Sequence, residues 1–361
     1  MKILCVDVGT GTQDILLFDS DRELENCAQM ILPSPTQIVA GRIKRATARG
    51  QDVLLTGRIM GGGPCAWAAE EHARRGFRVY ATRSAGLTFD DELEKVERMG
   101  VRLVDEDESD RLTAVERITM RDYDHQLILS ALASFDVDVA LDAVAIAVFD
   151  HGNAPPGTSD RVFRFEYLAE TIKRNDLTAF AYQREEVPER LTRMRSVAED
   201  CPPEIPAVIM DTGPAAVLGA LEDPVARATE DLLVANLGNF HTLAFHLSAG
   251  KILGLFEHHT GELTRLELEH YLGQLAEGTI SNAEVFADMG HGALVVGKTD
   301  RRHNLLAVTG PRRSLLHGSD LRPFLAVPHG AMMLAGCFGL LRAVAARVPA
   351  LAEAIEARFG V

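Results

Sequence analysis

The stretch that decides the fold of this chain is Asp7-Val8-Gly9-Thr10-Gly11-Thr12-Gln13-Asp14, close to its amino terminus. An apolar run at residues 3–6 precedes the stretch, and a second apolar run, Ile15 to Phe18, follows it at once. Two apolar runs joined by a glycine-rich turn predict a β-hairpin. The simplest alternative is an ordinary hairpin turn that binds nothing.

The turn also has the chemistry of an anion site. Gly9 and Gly11 allow backbone N–H groups to approach an anion closely, and Thr10 and Thr12 add hydroxyl donors. Asp7 stands at the end of the first strand, where a carboxylate can hold Mg²⁺ through water. The sequence therefore makes this turn a candidate phosphate and magnesium site.

Length and composition limit the classes of function. The 361 residues suggest two domains, and 47% hydrophobic and 25% charged residues are typical of a globular protein. The net charge of −15 argues against nonspecific binding to nucleic acid or to an anionic membrane. No apolar stretch approaches the length of a membrane span. A bound nucleotide would need local compensation from backbone dipoles, an arginine or a metal. The pattern indicates no particular oligomeric state.

The five cysteines are scattered through the chain, without a Cys-x-x-Cys pair. Such a distribution is typical of reduced, mostly buried thiols in a cytosolic protein. The amino terminus runs directly into a strand pattern that ends in an acid, without the small-residue cleavage site of a signal peptide. We therefore expect a cytoplasmic protein.

A second glycine-rich stretch, Gly57 to Pro64, lies between a predicted strand and a predicted helix. The consecutive glycines Gly61, Gly62 and Gly63 precede a helix N-terminus, which is a favourable place for an anion. The stretch lacks the Lys-Ser/Thr of a P-loop and the spacing of a dinucleotide fingerprint. We interpret it as a candidate loop for a substrate or second ligand, with a plain tight turn as the alternative.

The second half of the chain repeats the logic of the first. A predicted three-strand meander with a glycine turn opens each half, or nearly so, and mixed α/β units follow. The predicted domains are residues 1–206, with an α/β insertion at about 52–120, and residues 207–344. A final helix at about 345–361 is predicted to return to the first domain.

Several stretches together resemble the actin, Hsp70 and sugar-kinase superfamily of ATP-binding proteins. The first is the turn from Asp7 to Asp14, which is similar to the first phosphate motif of that superfamily. The others follow in the superfamily's order, and they are residues 144–153, Asp211 to Ala220, Asn236 to Thr242, Glu257 to Leu263, Val308 to Arg313 and His329 to Gly336.

This resemblance implies a two-domain, duplicated actin-like (ribonuclease H-like) α/β fold with ATP and Mg²⁺ in the interdomain cleft. It implies that Asp7 holds Mg²⁺ through water and that Asp150 orients a water or deprotonates a substrate hydroxyl, the alternative for Asp150 being a helix or loop cap. The implied phosphate-binding residues are Gly9, Thr10, Gly11, Thr12, Gln13, Gly238, Asn239 and Thr242. The implied adenosine-binding residues are Gly310, Arg312 and Arg313, although the two arginines also suit a solvated helix start.

The chain resembles, more closely, a prokaryotic family of this superfamily that is labelled a pyruvate formate-lyase activating enzyme. A radical activase of that kind needs a clustered Cys-x-x-x-Cys-x-x-Cys for an iron–sulfur cluster, and no cysteines here are close enough in sequence. We therefore expect no iron–sulfur cluster and no glycyl-radical activase activity. The second loop departs from the superfamily pattern, with Asn236 in place of an acid and Asn239-Phe240 in place of glycines.

The leading hypothesis is an ATPase or small-molecule phosphotransferase whose partners are a nucleotide and a small-molecule substrate. The alternatives are a non-catalytic, nucleotide-sensing regulator and a binder of a small anionic ligand at Gly61–Gly63. The histidines predict no dedicated transition-metal site. His258 and His259 are adjacent, and His241 and His246 are an odd number apart, so each pair faces opposite ways on a strand.

Overall fold

Two six-stranded sheets and one four-stranded sheet organise residues 1–174, 176–298 and 304–359, the parts of the chain that this computed structural model describes. In chain order the strands are β1 (Lys2–Val8), β2 (Thr12–Asp19), β3 (Ala28–Pro33), β4 (Val53–Gly57), β5 (Val79–Thr82), β6 (Val101–Val104), β7 (Glu116–Met120), β8 (Ala143–Val148), β9 (Ala181–Gln183), β10 (Ala207–Asp211), β11 (Asp231–Leu237), β12 (His241–Ser248), β13 (Lys251–His259), β14 (Gly292–Val295), β15 (Leu305–Thr309) and β16 (Phe324–Leu325).

The α-helices lie between and around these sheets. In chain order they are α1 (Pro35–Ala48), α2 (Pro64–Arg74), α3 (Arg83–Gly86), α4 (Leu93–Arg98), α5 (Glu106–Arg111), α6 (His125–Ala133), α7 (Asp160–Thr171), α8 (Thr192–Asp200), α9 (Thr212–Ala220), α10 (Pro224–Arg227), α11 (Arg265–Glu277), α12 (Asn282–Ala287), α13 (Ala335–Arg347) and α14 (Pro349–Phe359). Among the described helices, none combines the length and the apolar character that crossing a bilayer requires.

The two large sheets repeat one topology. The first has the order β3-β2-β1-β8-β10-β9, and the second has the order β14-β13-β12-β11-β15-β16. Each contains an antiparallel three-strand meander, β1 to β3 or β11 to β13, whose first strand pairs in parallel with a later strand, β8 or β15. The duplication predicted from the sequence is therefore present in the strand order.

Two helices lie in close contact where the halves join. On α9, a Cβ added at Gly219 would lie 1.6 Å from the carbonyl oxygen of Ala335 on α13. On α13, a Cβ added at Gly339 would lie 1.9 Å from the carbonyl oxygen of Ala215 on α9. Backbones can approach this closely only where the side chain is hydrogen, so the glycines fix the crossing of the two helices.

The predicted boundary between residues 206 and 207 needs correction, because β10 belongs to the first large sheet. It pairs in parallel with β8 and antiparallel with β9, so that sheet ends at Asp211. The final helix, α14, begins at Pro349 rather than at about residue 345, because α13 continues to Arg347. Its Arg358 Nε donates a hydrogen bond to the carbonyl oxygen of Ser20 at 2.8 Å, which ties α14 to the first half. Residues 360–361 lie outside the described residues.

The third sheet is parallel throughout and has the order β6-β5-β4-β7. It has a hydrophobic core of its own, which also includes residues of α1 and α2. Strand order changes direction between β4 and β7, and in such sheets ligands bind beyond the carboxyl ends of the strands at that point. The glycine loop Gly57–Gly63 leaves β4 at this position and faces the large sheets.

Candidate functional site

A cleft of about 410 Å³ opens where all three sheets meet. The first sheet contributes the β1–β2 turn and the segment after β8, the second contributes the β11–β12 turn and the end of β13, and the third contributes the glycine loop. The residues that line it near these turns are Gly9, Thr10, Gly61, Gly62, Gly63, Phe149, Asp150, His151, Arg193, Phe240, His241 and His259.

The β1–β2 and β11–β12 turns face each other across a narrower cavity of about 80 Å³. Both turns are closed by the same bond: the Gly9 N–H donates to the Thr12 carbonyl at 2.9 Å, and the Gly238 N–H donates to the His241 carbonyl at 3.0 Å. The sequence-predicted residues brought together here are Asp7, Gly9, Thr10, Thr12, Gly238, Asn239 and Gly310. A Cβ added at Gly11 would lie 2.4 Å from Asn239 Nδ2, so the two turns touch.

Asp7 and Asp14 form a pair of buried carboxylates in this narrow cavity. They are direct neighbours in the β1–β2 register, and the hydroxyl of Thr212 donates to Asp7 Oδ1 at 2.6 Å. Asp14 Oδ1 is buried and has no hydrogen-bond partner in the part of the chain that the structure describes. Burial raises the pKa of Asp7 to about 6, and burial together with the charge of Asp7 raises the pKa of Asp14 to about 7. Buried carboxylate oxygens that lack cationic partners are a donor set suited to a hard cation.

In the sequence pattern, Asp14 is only the end of the turn. Its position opposite Asp7 was nevertheless readable, because a hairpin closed by the Gly9–Thr12 bond places residues 7 and 14 across from each other. The remaining predicted phosphate contacts point elsewhere. Gln13 Nε2 donates to the Pro33 carbonyl at 3.1 Å, and the buried hydroxyl of Thr242 lies 3.0 Å from that of Thr260.

The two predicted adenosine arginines flank Gly310 differently. Arg313 Nη1 donates to the carbonyl oxygen of Gly310 at 3.1 Å, whereas Arg312 is exposed. Gly310 itself has a φ of +97° and approaches the backbone of Leu237, so a side chain there would clash with the second turn. The glycine therefore lets β15 end directly beside the β11–β12 turn.

Asp150 lines the large cleft, but both of its carboxylate oxygens accept backbone bonds. The Gly152 N–H and the Met194 N–H each donate to it at 2.8 Å, the second from the first turn of α8. Burial raises the pKa of Asp150, and the two backbone bonds oppose this shift. The contacts correspond to the capping alternative, because they fix the segment that carries His151.

The Gly61–Gly63 loop lines the large cleft, and the N–H groups of Gly61 and of nearby Cys65 already have internal acceptors. The Gly61 N–H lies 3.2 Å from both carboxylate oxygens of Asp122, which is also paired with Arg193 at 2.6 Å. The Cys65 N–H, in the first turn of α2, donates to the hydroxyl of Thr36 at 3.2 Å. An anion at this loop would have to compete with these groups.

Arg164 joins the two halves through a fully buried ion pair network. Its guanidinium contacts Asp211 of the first sheet and lies 3.1 Å from Glu257 Oε2 of the second. Its Cζ lies 4.3 Å from the centre of the Phe149 ring, at the inner side of the cleft. Burial raises the pKa of Glu257 to about 7, against the opposing effect of Arg164. Nothing in the sequence pattern around Arg164 pointed to this role.

The structure also brings together histidines that the sequence analysis kept apart. His151, His241 and His291 each offer one ring nitrogen, and these nitrogens lie within 4.8 Å of one another. His258 and His259 do point different ways, since His258 stacks on Tyr271 and His259 packs against His291. The parity argument compared only residues on one strand, whereas the cluster is built from three separate segments.

The strand order of the two large sheets and the cleft between them define the class of protein. The chain has the two-domain, duplicated actin-like α/β fold. A sequence model of one family matches residues 60–315, and the chain belongs to that family, described as "Putative pyruvate format-lyase activating enzyme (DUF1786)". No curated protein matches the chain in sequence.

Solved structures with similar folds have low sequence identity. A ROK family glucokinase from Streptomyces griseus in complex with glucose and AMPPNP is 13% identical, with 94% of this chain and 98% of that chain covered and a TM-score of 0.34. The ethanolamine utilization protein EutJ from Carboxydothermus hydrogenoformans is 13% identical, with 94% and 89% covered and a TM-score of 0.32. A ROK hexokinase from Thermus thermophilus is 13% identical, with 70% of this chain covered and a TM-score of 0.25, and the match spans 49% of that hexokinase.

Proposed function

We propose that the protein binds ATP with Mg²⁺ between the β1–β2 and β11–β12 turns and acts as an ATPase or small-molecule phosphotransferase. The observation that carries this proposal is the pair of facing turns, closed by the same hydrogen bond, with Asp7 and Asp14 buried beside them. Backbone N–H groups and a cation near transferring phosphates are the groups that phosphoryl transfer requires.

In this proposal Asp7 and Asp14 together hold the magnesium ion, directly or through water. The unpartnered oxygen of Asp14 and the raised pKa values of both acids fit a cation that would restore their ionised form. Asp14 then supplies the second carboxylate of the ion site, since residue 236 of the second turn is an asparagine rather than an acid. The ion supplies charge neutralisation to the phosphates, and Gly9 to Thr12 with Gly238 and Asn239 position them.

The remaining assignments extend the same proposal. Gly310, with Arg312 and Arg313, flanks the adenosine, and the large cleft beside Gly9 and Thr10 receives the small-molecule substrate. Asp150 shapes the substrate side of the cleft, and general-base catalysis by its carboxylate stays a prediction. The five thiols, all buried and without disulfides, support a cytoplasmic location.

The contact between the two turns restricts access to the cavity between them. Because the turns touch at Gly11 and Asn239 and the cavity is about 80 Å³, the turns have to separate before phosphates can enter. Gating of this kind is common in enzymes that close around a substrate. Nucleotide binding should therefore protect amides of both turns from hydrogen exchange.

The description of the family suggests an activating enzyme, and the cysteines do not fit iron–sulfur chemistry of that kind. All five are buried, and among the described residues the one group of three or more side chains placed to hold a metal is the histidine cluster. An iron–sulfur cluster needs several cysteine thiolates around one position. We therefore propose no radical step for this chain.

The test is a thermal unfolding titration of the purified full chain with ATP, ADP and a nonhydrolysable analogue, with and without Mg²⁺. A ligand at about 100 times its dissociation constant stabilises the folded state by about 2.7 kcal/mol. We expect a Mg²⁺-dependent shift that Asp7→Asn abolishes and that exposed Asp21→Asn leaves unchanged. Absence of a shift at millimolar nucleotide would overturn the proposal, and a shift without turnover would favour the nucleotide-sensing alternative.

A further inference from the structure

The histidine cluster is built from three segments that meet at the inner side of the large cleft. His151 follows β8 of the first sheet, His241 is the first residue of β12, and His291 immediately precedes β14. The Nε2 atoms of His151 and His291 are 3.5 Å apart, and all three donor nitrogens lie within 4.8 Å of one another. The fold thus converges imidazoles from both halves on one position.

Two ring nitrogens of this cluster have no hydrogen-bond partner among the described residues. They are the buried His241 Nε2 and His291 Nδ1, and His291 is only 1% exposed. The 3.5 Å separation of the His151 and His291 Nε2 atoms is longer than a good N–H···N bond. Buried polar atoms are almost always paired in native proteins, so His241 Nε2 calls for a partner that the described residues do not provide.

The residue type of the cluster suits a metal ion. Histidine is the commonest metal ligand in proteins, and three imidazoles converge here. An imidazole binds a transition metal in its neutral form, through the lone pair of one ring nitrogen.

We propose that His151, His241 and His291 form a binding site for a divalent transition metal ion of the zinc type. In a tetrahedral zinc site with Zn–N bonds of about 2.0–2.1 Å, ligand nitrogens lie about 3.3–3.4 Å apart, close to the His151–His291 spacing. Side-chain rotations that move nitrogens by about 1 Å bring a spacing of up to 4.8 Å to the same value. Imidazole donors favour zinc and its neighbours over Mg²⁺.

The surroundings of the cluster hold the rings in place and supply counter-charge. Phe149 stacks on His241, with the ring centres 3.8 Å apart, and His259 packs against His291 with centres 4.6 Å apart. The carboxylate of Glu257 shares a small cavity of about 90 Å³ with His241. Arg164 is paired with both Asp211 and Glu257, whose carboxyl groups offset its positive charge beside the cluster.

The position of the cluster leaves the ion accessible from one side. His151 and His241 line the large cleft, whereas His291 is buried behind them. Three histidines with a fourth position open to a cavity are the arrangement of catalytic rather than structural zinc sites. The open position would take a water molecule or an oxygen of an anionic small molecule in the cleft.

This site is distinct from the proposed magnesium site and does not rest on nucleotide binding. The magnesium donors are the carboxylates of Asp7 and Asp14 in the narrow cavity, whereas the donors here are imidazoles at the large cleft. A variant that removes one donor set should leave the other intact. The two proposals can therefore fail separately.

The experiment is a metal titration of the EDTA-stripped full chain with Co²⁺, followed by visible absorption, and with Zn²⁺, followed by calorimetry. We expect one equivalent of each ion and the strong visible bands of low-coordinate cobalt. His151→Ala and His241→Ala should each weaken binding by more than about 100-fold, because loss of even an outer partner of a ligand costs about 10- to 100-fold. Exposed His317→Ala is the matched control, and Asp14→Asn should leave Zn²⁺ binding unchanged.

Circular dichroism and thermal unfolding of each metal-free variant establish that it is folded before its affinity is compared. His151 and His241 are chosen rather than His291 because their side chains reach the cleft, where truncation to alanine disturbs the packing less. Equal Zn²⁺ affinity in the wild type, His151→Ala and His317→Ala would overturn the proposal. So would the absence of cobalt bands at saturating Co²⁺, and the cluster would then be a buried stack of rings.

Discussion

The β1–β2 turn and the β11–β12 turn have the same backbone hydrogen bond and the same strand register, but their side chains differ. The last paired residues are Val8 and Gln13 in the first turn and Leu237 and Thr242 in the second. This register makes the following positions equivalent: Asp7 and Asn236, Gly9 and Gly238, Thr10 and Asn239, Gly11 and Phe240, Thr12 and His241, and Asp14 and Leu243. Duplication has kept the backbone while the chemistry has changed.

Because the side chains of the two turns differ, the two halves provide different kinds of metal-binding group. The first turn keeps both carboxylates, whereas the second has an amide at Asn236 and an apolar side chain at Leu243. In exchange the second turn carries His241, and its sheet also carries His259 next to it in register. Oxygen donors for a hard cation thus come from the first half, and two of the three clustered histidines come from the second half.

The largest effect is expected where the halves are joined by buried charge. Arg164→Met leaves Asp211 and Glu257 buried without their cation, and removal of one partner of a buried ion pair costs about 3–5 kcal/mol. We expect a loss of this size in the free energy of unfolding by urea. Arg190→Met, at the exposed pair with Glu170, should change it by less than about 1 kcal/mol. Equal effects would show that the junction is not held by this network.

A smaller effect is expected at the point where α13 meets the first turn. A Cβ at Gly336 would lie 1.9 Å from Asp7 Oδ2, so Gly336→Ala must displace that carboxylate. Overpacking of this kind costs about 1–3 kcal/mol, and the Mg²⁺-dependent nucleotide shift should be lost with it.

The matched control is Gly273→Ala on α11, where an added Cβ meets no atom of the described residues within 4 Å. Alanine in a helix interior is favoured over glycine by about 0.5–1 kcal/mol, so this variant should be slightly more stable than the wild type. If Gly336→Ala behaved in the same way, the close approach of α13 to Asp7 would be wrong.

Local pattern was enough to predict the first hairpin, the duplication and the glycine positions, because each depends on residues close in sequence. The assignment of β10 to the second half was wrong, because a strand followed by a helix has the same sequence pattern in either half. Only the pairing of β10 with β8 and β9 shows which sheet it belongs to. The histidine cluster was missed for a similar reason. His151 and His291 are 140 residues apart, and no strand parity rule relates them.

The role of Asp14 could be predicted from the sequence only in part. Its place opposite Asp7 follows from the hairpin register, but its burial does not, since α13 covers the hairpin from far along the chain. The Cys337 thiol donates to the carbonyl oxygen of Asp14 at 3.1 Å, which records that packing. The chemistry of a duplicated turn can therefore be compared from sequence, whereas the burial that shifts its pKa values cannot.

The acid pair predicts a pH dependence of stability. The pKa of Asp14 is about 7 in the folded state against an ordinary value of 3.8, so the folded state binds a proton that the unfolded state has lost within this window. Stability from this group is present at low pH and is lost as pH rises to about 7, with a slope of at most about 1.4 kcal/mol per pH unit. Asp14→Asn should therefore gain stability relative to the wild type between pH 4.5 and pH 8.

The measurement is urea unfolding at both pH values in EDTA, so that no metal occupies the acids. The buried histidines contribute a slope of opposite sign, since their pKa values are lowered, but this contribution is the same in variant and wild type and cancels in the difference. Asp21→Asn, at an exposed turn, should give a difference that does not change with pH. A difference for Asp14→Asn that is flat across this range would contradict the raised pKa.

The smallest expected effect comes from making the second turn resemble the first. Asn236→Asp places a carboxylate at the position equivalent to Asp7, where it lines the same cavity as Asp7 and Asp14. If these acids hold Mg²⁺, a third carboxylate should tighten Mg²⁺-dependent nucleotide binding by about three- to tenfold, or about 0.7–1.4 kcal/mol. Calorimetric titration with ATP at saturating and at zero Mg²⁺ measures the change.

The change from asparagine to aspartate at Asn239, in the same turn, should have the opposite effect on nucleotide affinity. Asn239→Asp brings a charge to the tip of the second turn, against Gly11, where the proposal places phosphate rather than the metal. It should weaken nucleotide binding, because it sets a carboxylate against another anion. Opposite signs for the two variants would locate the ion on the Asp7 side and the phosphate between the turns. If both variants changed nucleotide affinity in the same direction, the ion and the phosphate would not occupy these separate positions.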